Sequence, residues 1–246
     1  MALSASFGGF LLAPRLVLAL LYFAAMSTTE KKTEAAVVPE SGLDTEGLLL
    51  QRLNNTTNED EYFRWMLFVV GFYRGINKIS EAIDLLEGFI KSDRNNENKA
   101  HCHLALGQIA TDEKRFAGAL EHFNSALALR PEKRKVKYVL HNNIGYCLNH
   151  LKRHVEAEKY CRAAIDIDWT RASAFRNLGI SLTGQGNLIG AAWVLMEAIT
   201  AEPGDLRARQ LVDQLVKSNP GLTLQCPWLS GSVYTENSAV VELPLM

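Results

Sequence analysis

The sequence predicts an all-α protein, organised as an α-solenoid of four stacked helical hairpins with a C-terminal capping helix. The first observation behind this prediction is a pattern that recurs three times. In each copy a glycine is followed after twelve, sixteen, nineteen and twenty-four residues by alanine, a larger side chain, alanine, and proline or tryptophan. Self-similarity with a period of about 34 residues is typical of helical repeat arrays. The three copies are Gly107, Ala119, Phe123, Ala126 and Pro131; Gly145, Ala157, Cys161, Ala164 and Trp169; and Gly179, Ala191, Leu195, Ala198 and Pro203.

The second observation is that apolar residues recur at helical spacing in four successive pairs of segments. A single amphipathic segment follows and ends at Asn219-Pro220-Gly221, which stops a helix. We place the repeat domain at residues 61–218. The paired segments are 62–73 with 79–90, 97–111 with 116–129, 133–150 with 155–167, and 172–183 with 188–201. The repeats are at about 63–96, 100–133, 138–171 and 172–205, with a cap at 206–217.

The small residues of the pattern explain why such hairpins stack. Two antiparallel helices cannot bury their apolar faces alone, so each hairpin packs against the next. Glycine on the first helix and alanine on the second allow the helices to approach closely, whereas a larger side chain at either position would clash. Pro131 and Pro203 cannot continue a helix, and they therefore fix where the chain turns.

The recurring residues resemble those of the tetratricopeptide repeat family. The resemblance covers about residues 63–203, with a more degenerate first copy. It implies a right-handed superhelix whose concave surface is lined by the first helix of each hairpin. The residues that carry it are Leu106, Gly107, Ala119, Phe123, Ala126 and Pro131, with their equivalents in the later copies. The departures are His103, His141 and Phe175 in place of tryptophan, Trp169 in place of proline, and Val70 in place of glycine.

The resemblance implies a non-enzymatic scaffold or adaptor that binds an extended segment of another protein in the groove of its repeats. Asn143 and Asn177 occupy the same repeat position, and an asparagine amide can bond a peptide N–H and C=O together. We expect these two residues to form a ladder along a bound peptide; the alternative is two polar residues on a solvated surface. The predicted groove residues are Asn142, Asn143, Tyr146, Asn149, Arg176, Asn177, Ile180 and Gln108.

The predicted groove differs from the clamp with which many co-chaperones of this family grip C-terminal carboxylates. Asn143 matches one clamp position. The expected lysine is replaced by Leu67 or Leu104, however, and Asn177 stands in place of a later arginine. We therefore do not expect the chain to bind the tails of heat-shock chaperones.

A cluster of basic residues precedes the third repeat. It contains Lys133, Arg134, Lys135 and Lys137, all near a predicted helix N-terminus, where the helix dipole disfavours cations. This conflict indicates a use for the charge, such as an acidic segment of a partner or an anionic surface; the simpler alternative is a solvated face. The cluster has no interleaved aromatic platform, so we do not expect nucleic acid as a partner.

The first hairpin carries more apolar surface than one helix–helix contact can bury. We expect this surface to be covered by the N-terminal segment, by the C-terminal tail, by a second copy in a homo-oligomer or by a partner protein. The residues concerned are Phe63, Trp65, Met66, Leu67, Phe68, Phe72 and Tyr73.

Composition and motifs exclude several classes of function. A net charge of −1 offers no overall attraction to nucleic acid or an anionic membrane. None of the four cysteines forms a CxxC pair, and three lie in helical patterns, which indicates inert packing in a reducing compartment. The sequence contains no phosphate loop and no GxGxxG, GxSxG or HExxH motif. We therefore predict no enzymatic activity, no cofactor, no metal site and a cytoplasmic location.

The residues outside the repeat domain lead to a second functional hypothesis. Residues 1–26 contain an apolar run of eleven residues, shorter than a membrane span. Three interpretations are open: translation starts at Met26, the segment is a membrane anchor, or it is a cleaved signal peptide. An anchor would make the chain a membrane-anchored assembly factor of an envelope or secretion complex. Residues 27–60 are predicted as a mostly disordered linker with a short amphipathic turn at 43–53, and residues 219–246 as an extended or disordered tail.

Overall fold

The computed structural model describes residues 45–92 and 95–229, and every regular element in these ranges is a helix. The predicted all-α class is therefore confirmed. The predictions for residues 1–26, 27–44 and 230–246 lie outside the described residues. Within the described ranges, no helix combines the length and the apolar character that crossing a membrane requires. The chain divides into two compact units, one ending at Cys102 and the other starting at His103.

The first unit contains the first hairpin and a helix that precedes it. Its elements are α1 (Thr45–Asn55), α2 (Glu59–Gly75), α3 (Ile79–Ser92) and the beginning of α4 (Asn96–Asp112). The side-chain oxygen of Asn58 accepts a hydrogen bond from the backbone N–H of Glu61 and so caps α2. Helices α2 and α3 pack against each other as a hairpin.

Helix α1 covers part of the aromatic surface of this hairpin. It lies within the stretch predicted as linker, most of which was expected to lack structure, and it packs against α2. The Arg52 guanidinium lies 4.9 Å from the ring centroid of Trp65. Glu46 forms a 2.5 Å ion pair with Lys78, just before α3. The sequence leaves open four ways to cover the apolar surface of the first hairpin. Cover by the segment that precedes the hairpin is one of them.

The second unit is a stack of hairpins in chain order. Neighbouring helices pack against each other from α5 to α10. The first helices of the third and fourth repeats, α6 and α8, also touch, and α8 touches the capping helix α10. This arrangement is the predicted α-solenoid. After the end of α4, the elements are α5 (Phe116–Ala128), α6 (Arg134–His150), α7 (His154–Ile167), α8 (Ala172–Gly184), α9 (Leu188–Ala201) and α10 (Leu206–Ser218).

The repeated glycines lie where the two helices of a hairpin come closest. A Cβ atom on Gly145 would lie 2.5 Å from the Cys161 Sγ atom. A Cβ atom on Gly179 would lie 2.6 Å from a methyl carbon of Leu195. Both distances are far below van der Waals contact, so only glycine fits at these positions. The repeating pattern thus reports a steric requirement.

The residues after α10 correct the prediction of an extended or disordered tail. A short helix α11 (Leu222–Gln225) and a 3₁₀ turn (Pro227–Leu229) follow α10. Leu222, Cys226 and Leu229 are buried and belong to the same apolar cluster as Leu195 and Val212. Their spacing of four and three residues places them on one side of the chain, a signal too short to stand out in the sequence.

Replacing Leu222 by alanine is expected to lower the free energy of unfolding by about 2 kcal/mol, because a buried leucine leaves a cavity when truncated. Leu222 is 4% exposed, whereas Leu224, two residues later, is 85% exposed. Leu224→Ala is therefore a matched control, expected to change the free energy by less than about 0.5 kcal/mol. Urea unfolding followed by circular dichroism measures the change in the free energy of unfolding for both variants. Equal changes would show that packing of α11 against the apolar cluster does not stabilise the array.

Candidate functional site

The first helices of the third and fourth repeats, α6 and α8, lie side by side with matched residues in contact. The Tyr138 hydroxyl lies 2.7 Å from the Ser173 hydroxyl oxygen. Further along, the Asn177 amide donates to the side-chain oxygen of Asn142 at 3.0 Å. The partners are 35 residues apart in both pairs. This register decides which predicted groove residues face solvent and which face the neighbouring helix.

Two of the predicted groove asparagines lie in the contact between α6 and α8. Asn149 and Asn177 are 5% and 8% exposed. The Asn149 amide donates to the backbone carbonyl of Asn177 at 2.8 Å. The Asn149 side-chain oxygen accepts from the Ser181 hydroxyl at 2.9 Å and lies 3.1 Å from His154 Nδ1. This is a correction: Asn149 joins helices inside the protein, and the Asn177 amide donates to Asn142 rather than reaching towards a peptide.

The other asparagines are more accessible. Asn142 is partly exposed and accepts the hydrogen bond from Asn177. Asn143 is also partly exposed, and its oxygen lies 3.4 Å from the Asn142 amide nitrogen, a weak contact. Of the two residues of the predicted ladder, Asn143 is therefore the more accessible one.

The residue after each repeated glycine forms a row across α4, α6 and α8. These residues are Gln108, Tyr146 and Ile180, which we call the recognition row. Each is at least partly exposed, and Tyr146 reaches 36%. On α6 and α8 the helical spacing turns Tyr146 and Ile180 to the same side of the contact between the two helices. The recognition row thus has a polar, an aromatic and an aliphatic side chain at equivalent positions of three repeats, each at least partly exposed.

An aromatic cluster supports Tyr146 from one side. The His150 ring stacks on Phe116 with 4.2 Å between ring centroids, and Tyr146 lies edge-on to His150 at 4.5 Å. Burial lowers the pKa of His150, and the nearby Lys152 lowers it further. Both effects favour the neutral imidazole beside Tyr146.

Arg176 is held inside the protein by an ion pair with Asp205. Asp205 also accepts a hydrogen bond from the backbone N–H of Arg207, which caps α10. Burial, with Arg207 nearby, lowers the pKa of the Arg176 guanidinium. Arg176 thus links α8 to α10, and only part of its side chain is accessible.

The predicted basic cluster lies at the start of α6. Lys133, Lys135 and Lys137 are exposed. Arg134 differs from them, because its guanidinium donates to the backbone carbonyl of Ile167 at the end of α7, with its Nε atom at 2.7 Å. One member of the cluster therefore has a structural role, and three remain for solvent or a partner.

Two family models described as tetratricopeptide repeat match the sequence, over residues 73–133 and 138–168. Over these residues the chain consists of tetratricopeptide repeats. The matched residues include the whole first copy of the pattern, from Gly107 to Pro131, and the second copy from Gly145 to Ala164. Arrays of tetratricopeptide repeats serve as scaffolds for protein–protein interaction. None of the curated proteins matches this sequence.

Solved structures of other tetratricopeptide repeat proteins have the same fold. One is MamA (residues 41 to the end) from Desulfovibrio magneticus RS-1, 16% identical with a TM-score of 0.56, where the match covers 71% of this chain and 94% of that one. Another is the Hsp90 co-chaperone Cns1 from Saccharomyces cerevisiae, 16% identical with a TM-score of 0.51, covering 56% of this chain. The match spans only 45% of the Cns1 chain. At this identity the likeness establishes the fold alone.

Several residues around the site of this tetratricopeptide repeat protein escape detection in the sequence. Phe116 and His150 come from different hairpins, so their stacking depends on tertiary structure. Ser181 and His154 complete the hydrogen bonds of Asn149. Serine, histidine and asparagine occur at many surface positions, so only the tertiary structure identifies Ser181 on α8 and His154 at the start of α7 as partners of Asn149.

Proposed function

We propose that this tetratricopeptide repeat protein is a non-enzymatic scaffold that holds an extended segment of another protein along the recognition row. The single observation that carries the proposal is the exposure of Tyr146 between Gln108 and Ile180, with an aromatic cluster fixing its position. Tyrosine provides a large contact area at a low entropic cost, and such residues dominate binding energy at protein interfaces.

The distance across the recognition row determines how many residues of the partner's segment can contact it. Neighbouring packed helices lie about 8–10 Å apart, so three helices span about 20 Å. An extended chain rises about 3.3 Å per residue, and six residues cover that span. Asn143 lies beside the row and can bond one backbone amide group of the segment. Alternate side chains of the segment then meet Tyr146 and Ile180, so we expect apolar residues at those two places.

The test begins with selection of peptides from a random twelve-residue library on the full chain. Fluorescence anisotropy then measures the affinity of individual selected peptides. We expect Tyr146→Ala to weaken them about tenfold, which corresponds to about 1.4 kcal/mol. Ile180→Ala is expected to weaken them about threefold, and Asn143→Ala by a similar factor.

The chain supplies a matched control for the isoleucine. Ile189 is 51% exposed, at the beginning of α9, on the second helix of its hairpin. Ile189→Ala removes the same atoms from a different surface and should leave the affinity unchanged. If Ile189→Ala and Ile180→Ala weaken the peptides equally, or if Tyr146→Ala has no effect, binding along the recognition row is excluded.

A further inference from the structure

A second surface of the same unit combines positive charge with exposed apolar side chains. Helices α6, α8 and α10, like α5 and α9, have no acidic residue in their first turns. Basic residues stand at these three helix starts instead. We call this surface the basic rim, and its members are Lys133, Lys135, Lys137, Arg171 and Arg207.

Contacts between the elements show that the rim is continuous. The bond from Arg134 to the carbonyl of Ile167 joins the start of α6 to the end of α7. The Arg171 guanidinium, immediately before α8, lies 4.5 Å from the ring centroid of Tyr138 on α6. The ion pair between Arg176 and Asp205 joins α8 to the cap of α10. The three helix starts therefore lie next to one another along one edge.

Most of the rim charge is available to a partner. Arg171 has a carboxylate nearby, since its Nε atom lies 3.8 Å from Asp168. Lys133, Lys135, Lys137 and Arg207 are exposed, and among the described residues none of the four forms an ion pair. Four positive charges thus face solvent along a surface of a chain whose net charge is −1.

Two large apolar side chains stand on the same edge. Trp169, in the loop between α7 and α8, is 68% exposed. Leu206, the first residue of α10, is 69% exposed. Tryptophan is well buried on average in folded proteins, so this degree of exposure beside Arg171 points to contact with another molecule.

We propose that the basic rim binds a short acidic segment of a partner protein that carries an apolar side chain for Trp169. Carboxylates complement the lysine and arginine charges, and Trp169 buries the apolar group. Glu132, Asp168 and Glu202 lie among the basic residues of the rim, so its positive charge is moderate. Of the residues named for this edge, Trp169 is the single aromatic one, whereas proteins that bind single-stranded nucleic acid stack successive bases on several aromatic side chains. This site lies apart from the recognition row and does not depend on it.

A nine-residue peptide of eight glutamates with a central leucine, labelled with fluorescein, is the probe. Anisotropy should show binding to the full chain that weakens at least about tenfold between 50 and 500 mM salt, because exposed charge pairs are screened. The triple variant Lys133→Glu, Lys135→Glu, Lys137→Glu should weaken binding by at least about tenfold. Trp169→Ala, which leaves the charge unchanged, should weaken it about fivefold.

The matched control is the triple variant Lys114→Glu, Lys152→Glu, Lys159→Glu, which changes the net charge equally at exposed positions outside the rim. It should bind the probe within about twofold of the natural chain. The rim triple variant should melt at or above the temperature of the natural chain, because glutamate suits a helix N-terminus better than lysine. Loss of binding then reflects the surface and not unfolding.

Three results would overturn the proposal. One is absence of salt-dependent binding of the probe, and another is equal loss in the two triple variants. The third is that the natural chain binds oligothymidylate or phosphatidylserine vesicles through the rim but does not bind the probe. Tyr146→Ala should bind the probe with the affinity of the natural chain. The rim triple variant should likewise bind the peptides selected for the recognition row as tightly as the natural chain does. The two proposed sites can therefore be tested independently of each other.

Discussion

Replacing Gly145 by alanine should lower the free energy of unfolding of the second unit by about 3 kcal/mol, at the upper end of the cost of overpacking a core. The new Cβ atom would lie 2.5 Å from Cys161 Sγ, so α6 and α7 must separate or distort. The usual gain from replacing glycine by alanine within a helix, about 0.5–1 kcal/mol, is far too small to offset this clash. Urea unfolding followed by circular dichroism measures the change.

A double-mutant cycle identifies the cause of this loss. Cys161→Ala removes the sulfur, after which the nearest atoms to the new Cβ are the Ala157 carbonyl oxygen at 3.4 Å and the backbone nitrogen of residue 161 at 3.5 Å. Cys161→Ala alone should cost about 1 kcal/mol for the cavity. The double variant should cost little more, which gives a coupling energy of about 2 kcal/mol. Additive effects would mean that the steric explanation is wrong.

The control for Gly145 is a helical glycine of the same unit that has space around it. A Cβ atom on Gly118, in α5, would have only the Arg115 side chain nearby, at 3.6 Å. Gly118→Ala should therefore raise the free energy of unfolding by about 0.5–1 kcal/mol. Gly145→Ala should thus lower the free energy of unfolding, and Gly118→Ala should raise it. This difference in sign would show that the loss at Gly145 comes from a steric clash and not from helix propensity.

Replacing Asn149 by alanine should lower the free energy of unfolding by about 3 kcal/mol, because buried polar groups lose their partners. The side chain donates to the Asn177 carbonyl, accepts from the Ser181 hydroxyl, and lies within bonding distance of His154. Ser181 retains its bond to the Asn177 carbonyl at 2.9 Å, but His154 Nδ1 loses the side-chain partner that Asn149 provides. The same unfolding measurement applies.

Asn143→Ala is the matched control for Asn149→Ala. The same atoms leave the same helix, but Asn143 is partly exposed and has only a weak contact with Asn142. Asn143→Ala should therefore change the free energy of unfolding by less than about 0.5 kcal/mol. A loss of 1 kcal/mol or less for Asn149→Ala would show that these hydrogen bonds do not hold α6 and α8 in register.

The architecture could be predicted from the sequence because its determinants are local. Gly107, Gly145 and Gly179 recur because each meets the side chain that lies sixteen residues later, in its own hairpin. The end of α7 at Ile167 and of α9 at Ala201 follow from the apolar periodicity and the turns after it. These signals act within one hairpin, so a single sequence contains them.

The accessibility of the candidate site could not be predicted in the same way. Adjacent residues of a helix point about 100° apart. Asn142 and Asn143 therefore face different neighbours, and only the register between α6 and α8 shows that Asn177 donates to Asn142. The apolar pattern of α1 is short, and Leu222 and Cys226 lie beyond a helix stop, so both elements depend on tertiary contacts that the sequence does not display.

The buried cysteines make the cooperativity of the array measurable in the natural chain. Cys102, Cys147, Cys161 and Cys226 are free thiols and are buried. Burial raises the pKa of Cys161 to about 12, so in the closed state this thiol is both inaccessible and un-ionised. Repeat arrays open segment by segment. We therefore expect each thiol to be alkylated at the rate at which the segment around it opens. Mass spectrometry of the four sites then identifies the segment that opens first.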